Sequence, residues 1–418
     1  MSILLLLVPT ILIGILSYYL WLWTYWRRRG IPGPLGYPFV GVFPQTLKSE
    51  YPQYLQMRDW TKQYGPVYGY TEGTIKSLIV SDIDLVHELF VKQYDNFYGR
   101  KLNPIQGDPE KDPRSNLFSA QGFRWKRLRA ISSSTFTNNS LRRINLTVED
   151  SAVELLRHIE EKTAGGKEID MLQFYQEFTM DVIGRIAMGQ VDSQMFKNPL
   201  INYVKAIFGD NRKHIPLIGG VFPKFAEFFR FFMLKFPFLG AANFIHVNKT
   251  MINAVNNRIA QREKDAENGI ELGEPQDFID LFLDARADDV EANSRRCMRA
   301  TKLGDVEVEV GTMVQVDTWS LHTDPKIWGD DAKEFKPERW TNTDADQIFQ
   351  KGGYIPFGLG PRQCIGMRLA YMEEKMLLSH ILRKYSFEIG KKTEIPLKLV
   401  GRATTQPTSV WMQLKLRN

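Results

Sequence analysis

The chain begins with a long uncharged stretch, since no acidic or basic residue lies between Ser2 and Trp26. About twenty apolar residues in a helix are enough to cross a bilayer. Aromatic residues crowd the end of this stretch, as they do at a membrane interface, and Arg27–Arg29 follow at once. The pattern predicts an N-terminal transmembrane helix, with residues 1–29 as a single-pass anchor and the rest of the chain in the cytoplasm. A cleaved signal peptide is the alternative, but its leading charge and small-residue cleavage site are missing.

The remaining pattern is mostly helical, with a few short strand signals. Apolar spacing predicts a core helix over 178–189, and a helical pattern runs over 367–385. Short β runs occur at 65–70 and 77–80. Residues 302–317 alternate between apolar and acidic positions, which predicts a hairpin. The fold class is therefore predicted to be mainly α with small β sheets.

Phenylalanines are concentrated between residues 222 and 238, in a region that prolines interrupt. One interpretation is a buried pair of helices. The other is a surface that dips into a membrane and admits apolar molecules. The sequence favours neither interpretation over the other.

Composition limits the classes of partner and compartment. The 418 residues carry a net charge of +6, with a pI of about 9.0, and the basic residues are spread out. A spread excess favours an anionic membrane surface or an acidic protein, and not nucleic acid, as the partner. Two cysteines, Cys297 and Cys364, argue against a disulfide framework and for a reducing compartment. No linker, repeat or low-complexity tract divides residues 30–418, which are predicted to form one domain.

The strongest chemical signal is the Gly- and Pro-rich segment 357–366, which contains Cys364 and directly precedes a helical pattern. Glycine lets the backbone approach a flat ligand closely. The N-terminus of the following helix and the nearby Arg362 would both favour a thiolate. This arrangement suits a metal-binding cysteine. A buried structural cysteine, or a catalytic cysteine paired with a distant histidine, is the alternative.

The segment resembles the haem-binding signature of the cytochrome P-450 family, F-x-x-G-x-R-x-C-x-G. The fixed positions are occupied by Phe357, Gly360, Arg362, Cys364 and Gly366. The resemblance implies a P-450-like domain that binds haem (heme, iron protoporphyrin). It makes Cys364 the catalytic residue and the axial thiolate ligand of the iron, and the other four positions part of the cofactor site.

A second segment with candidate chemistry is 123–129. On a helix, Trp125 and Arg129 share a face and together suit a pair of carboxylates. An ordinary amphipathic helix is the alternative. The segment is similar to the family's W-x-x-x-R motif, which implies that Trp125, Arg129 and Arg362 hold the haem propionates. Lys126 and Arg127 are then predicted to face solvent.

The resemblance has one large gap. Only residues 287–294 stand where the family has its I, J and K helices, so on the order of a hundred residues are missing and the haem domain is incomplete. The absent I helix would carry the acid and the alcohol that relay protons to bound oxygen. Arg295 matches a propionate-binding arginine of the family. Arg339 matches the arginine that locks the meander region before the cysteine loop.

The resemblance implies a monooxygenase that inserts one atom of O2 into a lipophilic small molecule. Electrons would come from NADPH through a membrane-bound flavoprotein reductase, with the enzyme in the endoplasmic reticulum membrane. Two rivals stay open at this stage. One is a catalytically inactive, membrane-anchored haem-binding protein or a non-functional shortened form. The other is a membrane-anchored cysteine hydrolase, which would need a histidine beside Cys364.

Overall fold

The computed structural model describes residues 2–48, 51–102, 104–110, 115–164, 166–208, 214–239, 241–270, 277–284, 296–341, 343–400 and 405–417. Within them the α-helices are α1 (Ser2–Trp23), α2 (Tyr25–Arg28), α3 (Phe43–Thr46), α4 (Gln53–Tyr64), α5 (Ile83–His87), α6 (Gly122–Thr135), α7 (Asn138–Thr163), α8 (Met171–Ala187), α9 (Leu200–Phe208), α10 (His214–Val221), α11 (Ala226–Lys235), α12 (Ala242–Glu267), α13 (Phe278–Asp284), α14 (Thr318–His322), α15 (Pro325–Trp328), α16 (Thr343–Lys351) and α17 (Met367–Lys384). The strands are β1 (Val67–Glu72), β2 (Ile75–Val80), β3 (Ile169–Asp170), β4 (Thr301–Leu303), β5 (Val306–Val308), β6 (Met313–Val316), β7 (Tyr385–Glu388), β8 (Leu399–Val400), β9 (Gln406–Pro407) and β10 (Trp411–Leu416). The prediction of a mainly α fold with small β sheets is confirmed.

The chain divides into two compact units, each built from three segments. Unit 1 contains Met1–Lys126, Asn211–Lys235 and Glu291–Cys364. Unit 2 contains Arg127–Asp210, Phe236–Val290 and Ile365–Asn418.

Unit 1 is organised around the sheet β1–β2–β6. β1 and β2 are antiparallel, with Val67 opposite Val80, which confirms the two predicted strand signals. β4 and β5 form the predicted antiparallel hairpin. The hairpin prediction was wrong for its last part, since β6 runs parallel to β2, with Ser77 opposite Met313. Short strands pair where the tertiary fold offers an edge, which local alternation does not encode.

The N-terminal stretch forms α1, and the chain just after it packs into unit 1. The indole Nε1 of Trp26 donates a hydrogen bond to the Tyr70 carbonyl oxygen at 3.0 Å. Gly69 has to be glycine here, because a Cβ would lie 2.3 Å from the Trp26 ring. Arg29 Nη1 lies 2.7 Å from Glu309 Oε1, which ties the same segment to the turn after β5. Within the described residues, no helix is both long and apolar enough to cross a membrane.

Unit 2 is a helical core with a small sheet. α7, α8 and α17 pack together around apolar side chains that include Leu155, Phe178 and Ile381. The predicted core helix at 178–189 is thus confirmed as part of α8, and the helix predicted after Cys364 is confirmed as α17. β10 pairs with both β3 and β7 and closes one side of this core.

Glu373 lies on the inner side of α17, and its side-chain carboxyl leads to a prediction about stability. The residue is only 7% exposed, and desolvation raises the pKa of its carboxyl to about 8. A carboxyl whose pKa is higher in the folded state stabilises the fold at low pH and loses that contribution as the pH rises from about 4 towards 8. Glu373→Gln removes the titration. We expect its free energy of unfolding at pH 7 to exceed that of the wild type by about 3 kcal/mol.

Urea unfolding at pH 5 and pH 7.5 checks this prediction. The wild type should lose stability between the two values, and the Glu373→Gln protein should lose much less. Glu374→Gln is the matched control, because the neighbouring Glu374 is exposed. Equal pH dependence in all three proteins would contradict the prediction.

Candidate functional site

The segment 357–366, called the cysteine loop from here on, is a tight backbone structure that contains the exposed Cys364. The Cys364 amide donates to the Phe357 carbonyl oxygen at 2.8 Å, which closes the loop on itself. Gly358 and Gly360 have φ of 80° and 72°, the left-handed region that favours glycine. This backbone bond and these two glycine conformations set the path of the loop around the thiol.

Phe357 and Gly366 are the two ends of this loop, and both are half-buried. Gly366 is also the N-cap residue of α17. The Cys364 side chain makes no disulfide and, among the described residues, no hydrogen bond with a histidine. The hydrolase alternative would need a histidine beside Cys364 as its base.

Arg362 and Trp125 lie together in unit 1. The guanidinium carbon of Arg362 stands 4.1 Å from the centre of the Trp125 ring, a cation–π arrangement. Arg362 Nη2 also donates to the Ala120 carbonyl oxygen at 2.7 Å. Both side chains are buried, Arg362 at 8% exposed and Trp125 at 1%. A charge this far from water needs such partners, so the cysteine loop is anchored to the segment that leads into α6.

The sequence placed Trp125 with Arg129 on one helix face, and α6 does carry both residues one turn apart. Arg129 is half-buried, Lys126 is half-buried, and Arg127 is exposed. The solvent-facing prediction is therefore confirmed for Arg127, whereas Lys126 faces solvent only in part. Arg295 lies outside the described residues.

Arg100 is a candidate that sequence reasoning missed. Its guanidinium carbon lies 4.3 Å from the centre of the Phe118 ring, and its carbonyl oxygen accepts a bond from Gln121 Nε2 at 3.3 Å. Burial lowers the pKa of Arg100, and its Nε has no hydrogen-bond partner among the described residues. A buried guanidinium nitrogen that lacks an acceptor can donate to an anionic ligand.

No local signal pointed to Arg100, because it belongs to no motif that the sequence carries. Gln121, which contacts it, directly follows Ala120, which contacts Arg362. Arg100 and Arg362 thus flank the same stretch before α6. Proximity to an aromatic residue in the sequence does not single out Arg100, because other arginines share it.

Arg339 makes hydrogen bonds to the meander region before the cysteine loop, as the resemblance implied. Its Nη2 donates to the carbonyl oxygens of Asp331 at 2.8 Å and Glu334 at 3.3 Å. Its Nη1 donates to the Trp328 carbonyl oxygen at 3.2 Å. One guanidinium therefore donates to three backbone carbonyls of the meander and holds them together.

An exposed thiol on a glycine-rich loop that a buried arginine anchors suits a haem-thiolate class of site. The sequence model of the family described as Cytochrome P450 matches residues 31–294 and 287–412. The chain belongs to the cytochrome P450 family of haem-thiolate monooxygenases, which use haem with a cysteine thiolate as axial ligand.

Relatives of the chain come from Caenorhabditis elegans. The chain is 67% identical over 518 positions to the cytochrome P450 CYP13A10, with 100% of both proteins covered. It is 54% identical over 510 positions to CYP13A1, with 98% of each covered, and 48% identical over 509 positions to CYP13A2, again with 98% of each covered.

Two features of these matches bear on the gap in the chain. The alignment to CYP13A10 has 518 positions and the chain has 418 residues, so at least a hundred positions hold no residue of this chain. The two matches to the family overlap at residues 287–294.

The residues present fit a haem. The loop offers an exposed thiol, which can reach a metal, and Arg100 offers a buried Nε that lacks a partner among the described residues. A propionate carboxylate would supply the acceptor that this donor lacks. A thiol and a guanidinium together suit a cofactor that carries a thiophilic metal and a carboxylate.

Proposed function

We propose that this chain inserts one oxygen atom of O2 into a lipophilic small molecule, with electrons from NADPH delivered by a flavoprotein reductase. The observation that carries the proposal is the cysteine loop, which presents Cys364 to solvent while Arg362 is buried on Trp125. That combination holds a thiolate ligand in place and leaves its sulfur accessible.

Each site residue has a proposed task. Cys364 ligates the haem iron through its thiolate, and when bound the haem supplies the oxygen-activating chemistry of the family. Arg362 and Trp125 fix the loop, with Arg362 also directed to a propionate. Arg100 provides further charge for the propionates, and Arg129 and Arg295 are assigned the same task on the family resemblance alone. Phe357, Gly360 and Gly366 shape the loop.

Membrane attachment through α1, in the endoplasmic reticulum with the haem domain in the cytoplasm, is part of the proposal. Support comes from the apolar surface of α1, where Leu12 and Ile13 are 59% and 63% exposed. The phenylalanines of the 222–238 region add to it: Phe225, Phe228 and Phe231 are all exposed, which disagrees with the buried-pair interpretation. Exposed apolar surface of this extent is typical of a membrane or partner contact.

Extraction of membranes with alkaline carbonate tests the attachment. The full chain should stay with the membrane pellet, and a chain without residues 2–23 should move to the supernatant. Recovery of the full chain in the supernatant would remove this part of the proposal.

The reductase is proposed to dock on a basic face that includes Arg127, which is exposed on α6. Charge complementarity of this kind mainly sets the rate of association. Alanine at Lys126 and Arg127 together should raise the apparent KM for reductase. An unchanged KM would exclude the two residues from the interface.

A second candidate function is a haem-binding protein with no catalysis. It is supported by the hundred alignment positions without a residue and by the overlap of the family matches at 287–294. Turnover of NADPH with purified reductase and a panel of lipophilic substrates separates the two candidates. Product formation above the Cys364→Ala background supports the monooxygenase, whereas haem binding without product supports the inert form.

A further inference from the structure

His322 is a buried histidine that neither the family signature nor the proposed function uses. It is the last residue of α14. Its Nε2 accepts a hydrogen bond from the Ile355 amide at 2.9 Å. Its ring packs against Tyr354, with the ring centres 4.8 Å apart. The imidazole therefore contacts two successive residues that lead into the cysteine loop.

Backbone hydrogen bonds connect Ile355, whose amide donates to His322, with the cysteine loop. The Ile355 carbonyl oxygen accepts from the Gly358 amide at 2.9 Å, which closes a turn at the start of the loop. The Phe357 carbonyl oxygen, inside that turn, accepts from the Cys364 amide at 2.8 Å. Each of these hydrogen bonds holds the residue that makes the next bond, and the last bond holds the backbone of Cys364.

The other side of His322 is anchored to the sheet of unit 1. α14 follows β6, and its N-cap is Asp317, whose carboxylate accepts from the Ser320 amide at 3.2 Å. The same carboxylate accepts from Thr61 Oγ1 at 2.6 Å, which ties α14 to α4. β6 itself pairs in parallel with β2. α14 is therefore a rigid support, because it is capped, bonded to α4 and preceded by a strand of the sheet.

We propose that His322 is a positioning residue for the thiolate ligand, which connects the cysteine loop to the β-sheet of unit 1 by accepting the Ile355 amide. The proposal rests on the proposed function, in which Cys364 binds haem iron. The imidazole has to be neutral to accept at Nε2. Burial supports this state, because it lowers the pKa of His322 to about 4.

Two substitutions distinguish positioning from bulk packing. His322→Leu fills the site with an apolar side chain of similar size and removes the acceptor. His322→Gln keeps an acceptor, since its side-chain carbonyl oxygen can take the amide proton. His380→Leu, on α17 of unit 2, is the control for loss of a histidine elsewhere.

The first measurement is hydrogen exchange in the haem-free protein. The His322→Leu protein should exchange the amides of Ile355 and Gly358 about tenfold faster than the wild type. The His322→Gln and His380→Leu proteins should stay close to the wild type. Strand amides of β1 and β2 should remain protected in all four proteins, which shows that the fold is intact. Equal exchange at Ile355 in the His322→Leu protein and the wild type would overturn the proposal, as would failure of His322→Gln to restore protection.

The second measurement is the carbon monoxide spectrum of the reduced, haem-loaded proteins. The His322→Leu protein should shift from the thiolate-ligated band towards the displaced-ligand band, and the His322→Gln protein should not. An unchanged band ratio in the His322→Leu protein would also overturn the proposal. If the wild type bound no haem, the proposed function would fail, while the exchange result would still decide whether His322 holds the loop.

Discussion

NADPH-dependent oxygenation is expected to rise by at least about a hundredfold when this chain receives, at residues 287–294, the segment that CYP13A10 carries and this chain lacks. The family resemblance implies that this segment brings the acid and the alcohol that deliver protons to bound oxygen. General acid catalysis by positioned groups commonly contributes factors of this size. The chain as it stands is expected to turn over slowly.

The structure of unit 2 supports the choice of insertion point. α13, which ends shortly before residue 287, is held to α12 by ion pairs with buried carboxylates: Arg258 lies 2.7 Å from Asp277, just before α13, and Arg262 lies 2.9 Å from Asp280. One face of α12 leaves apolar residues exposed, namely Phe244, Met251, Ile252, Val255 and Ile259. A helix with such a face normally packs it against another element. The inserted helices have a docked starting point and an apolar surface to cover.

Product formation with purified reductase measures the effect, with the Tm of each protein as a second readout. A Gly/Ser insert of the same length is the matched control, since it restores spacing without helices. We expect the relative's segment to raise both activity and Tm and the Gly/Ser insert to raise neither. An inserted protein no more active than the original chain would show that the missing segment does not limit catalysis.

Arg362→Leu is expected to weaken haem binding by about tenfold or more, because it removes the charge-assisted contact that we propose Arg362 makes to a propionate. The side chain also packs on Trp125 and donates to Ala120, so part of its effect acts through the cysteine loop. Titration of the haem-free protein with haemin measures the change in Kd.

Two further variants show whether the effect on haem binding is specific to the guanidinium of Arg362. Arg127→Leu removes an equal charge from an exposed position of α6 and should leave the Kd unchanged. Arg362→Lys keeps the charge but loses the planar fork, and it should fall between the wild type and the Arg362→Leu protein. If the Arg362→Leu and wild-type proteins titrated alike, Arg362 would have no part in holding haem.

Local signals in the sequence predicted several parts of the fold correctly. The β1–β2 pair, the core helix α8 and the helix α17 each follow from periodicity within a dozen or so residues. The cysteine loop was recognisable because its glycines, arginine and cysteine are contiguous. The backbone bond from Cys364 to Phe357 lies wholly inside that loop.

Contacts between distant segments could not be predicted in this way. Helical spacing placed Trp125 with Arg129, but the structure packs Trp125 against Arg362, far along the chain. Arg100 and His322 gain their surroundings only when separate segments meet. The pairing of β6 with β2 depends on an edge that only the fold provides. Such contacts are set by tertiary packing, which local sequence patterns do not encode.

The central claim is that the sulfur of Cys364 binds haem iron. The most direct measurement is the carbon monoxide difference spectrum of the reduced, haem-loaded protein, recorded for the wild type and for Cys364→Ala. The wild type should give the thiolate-ligated band, and the Cys364→Ala protein should lose it while the control Cys297→Ala retains it. The same band in the Cys364→Ala protein and the wild type would contradict the assignment of Cys364.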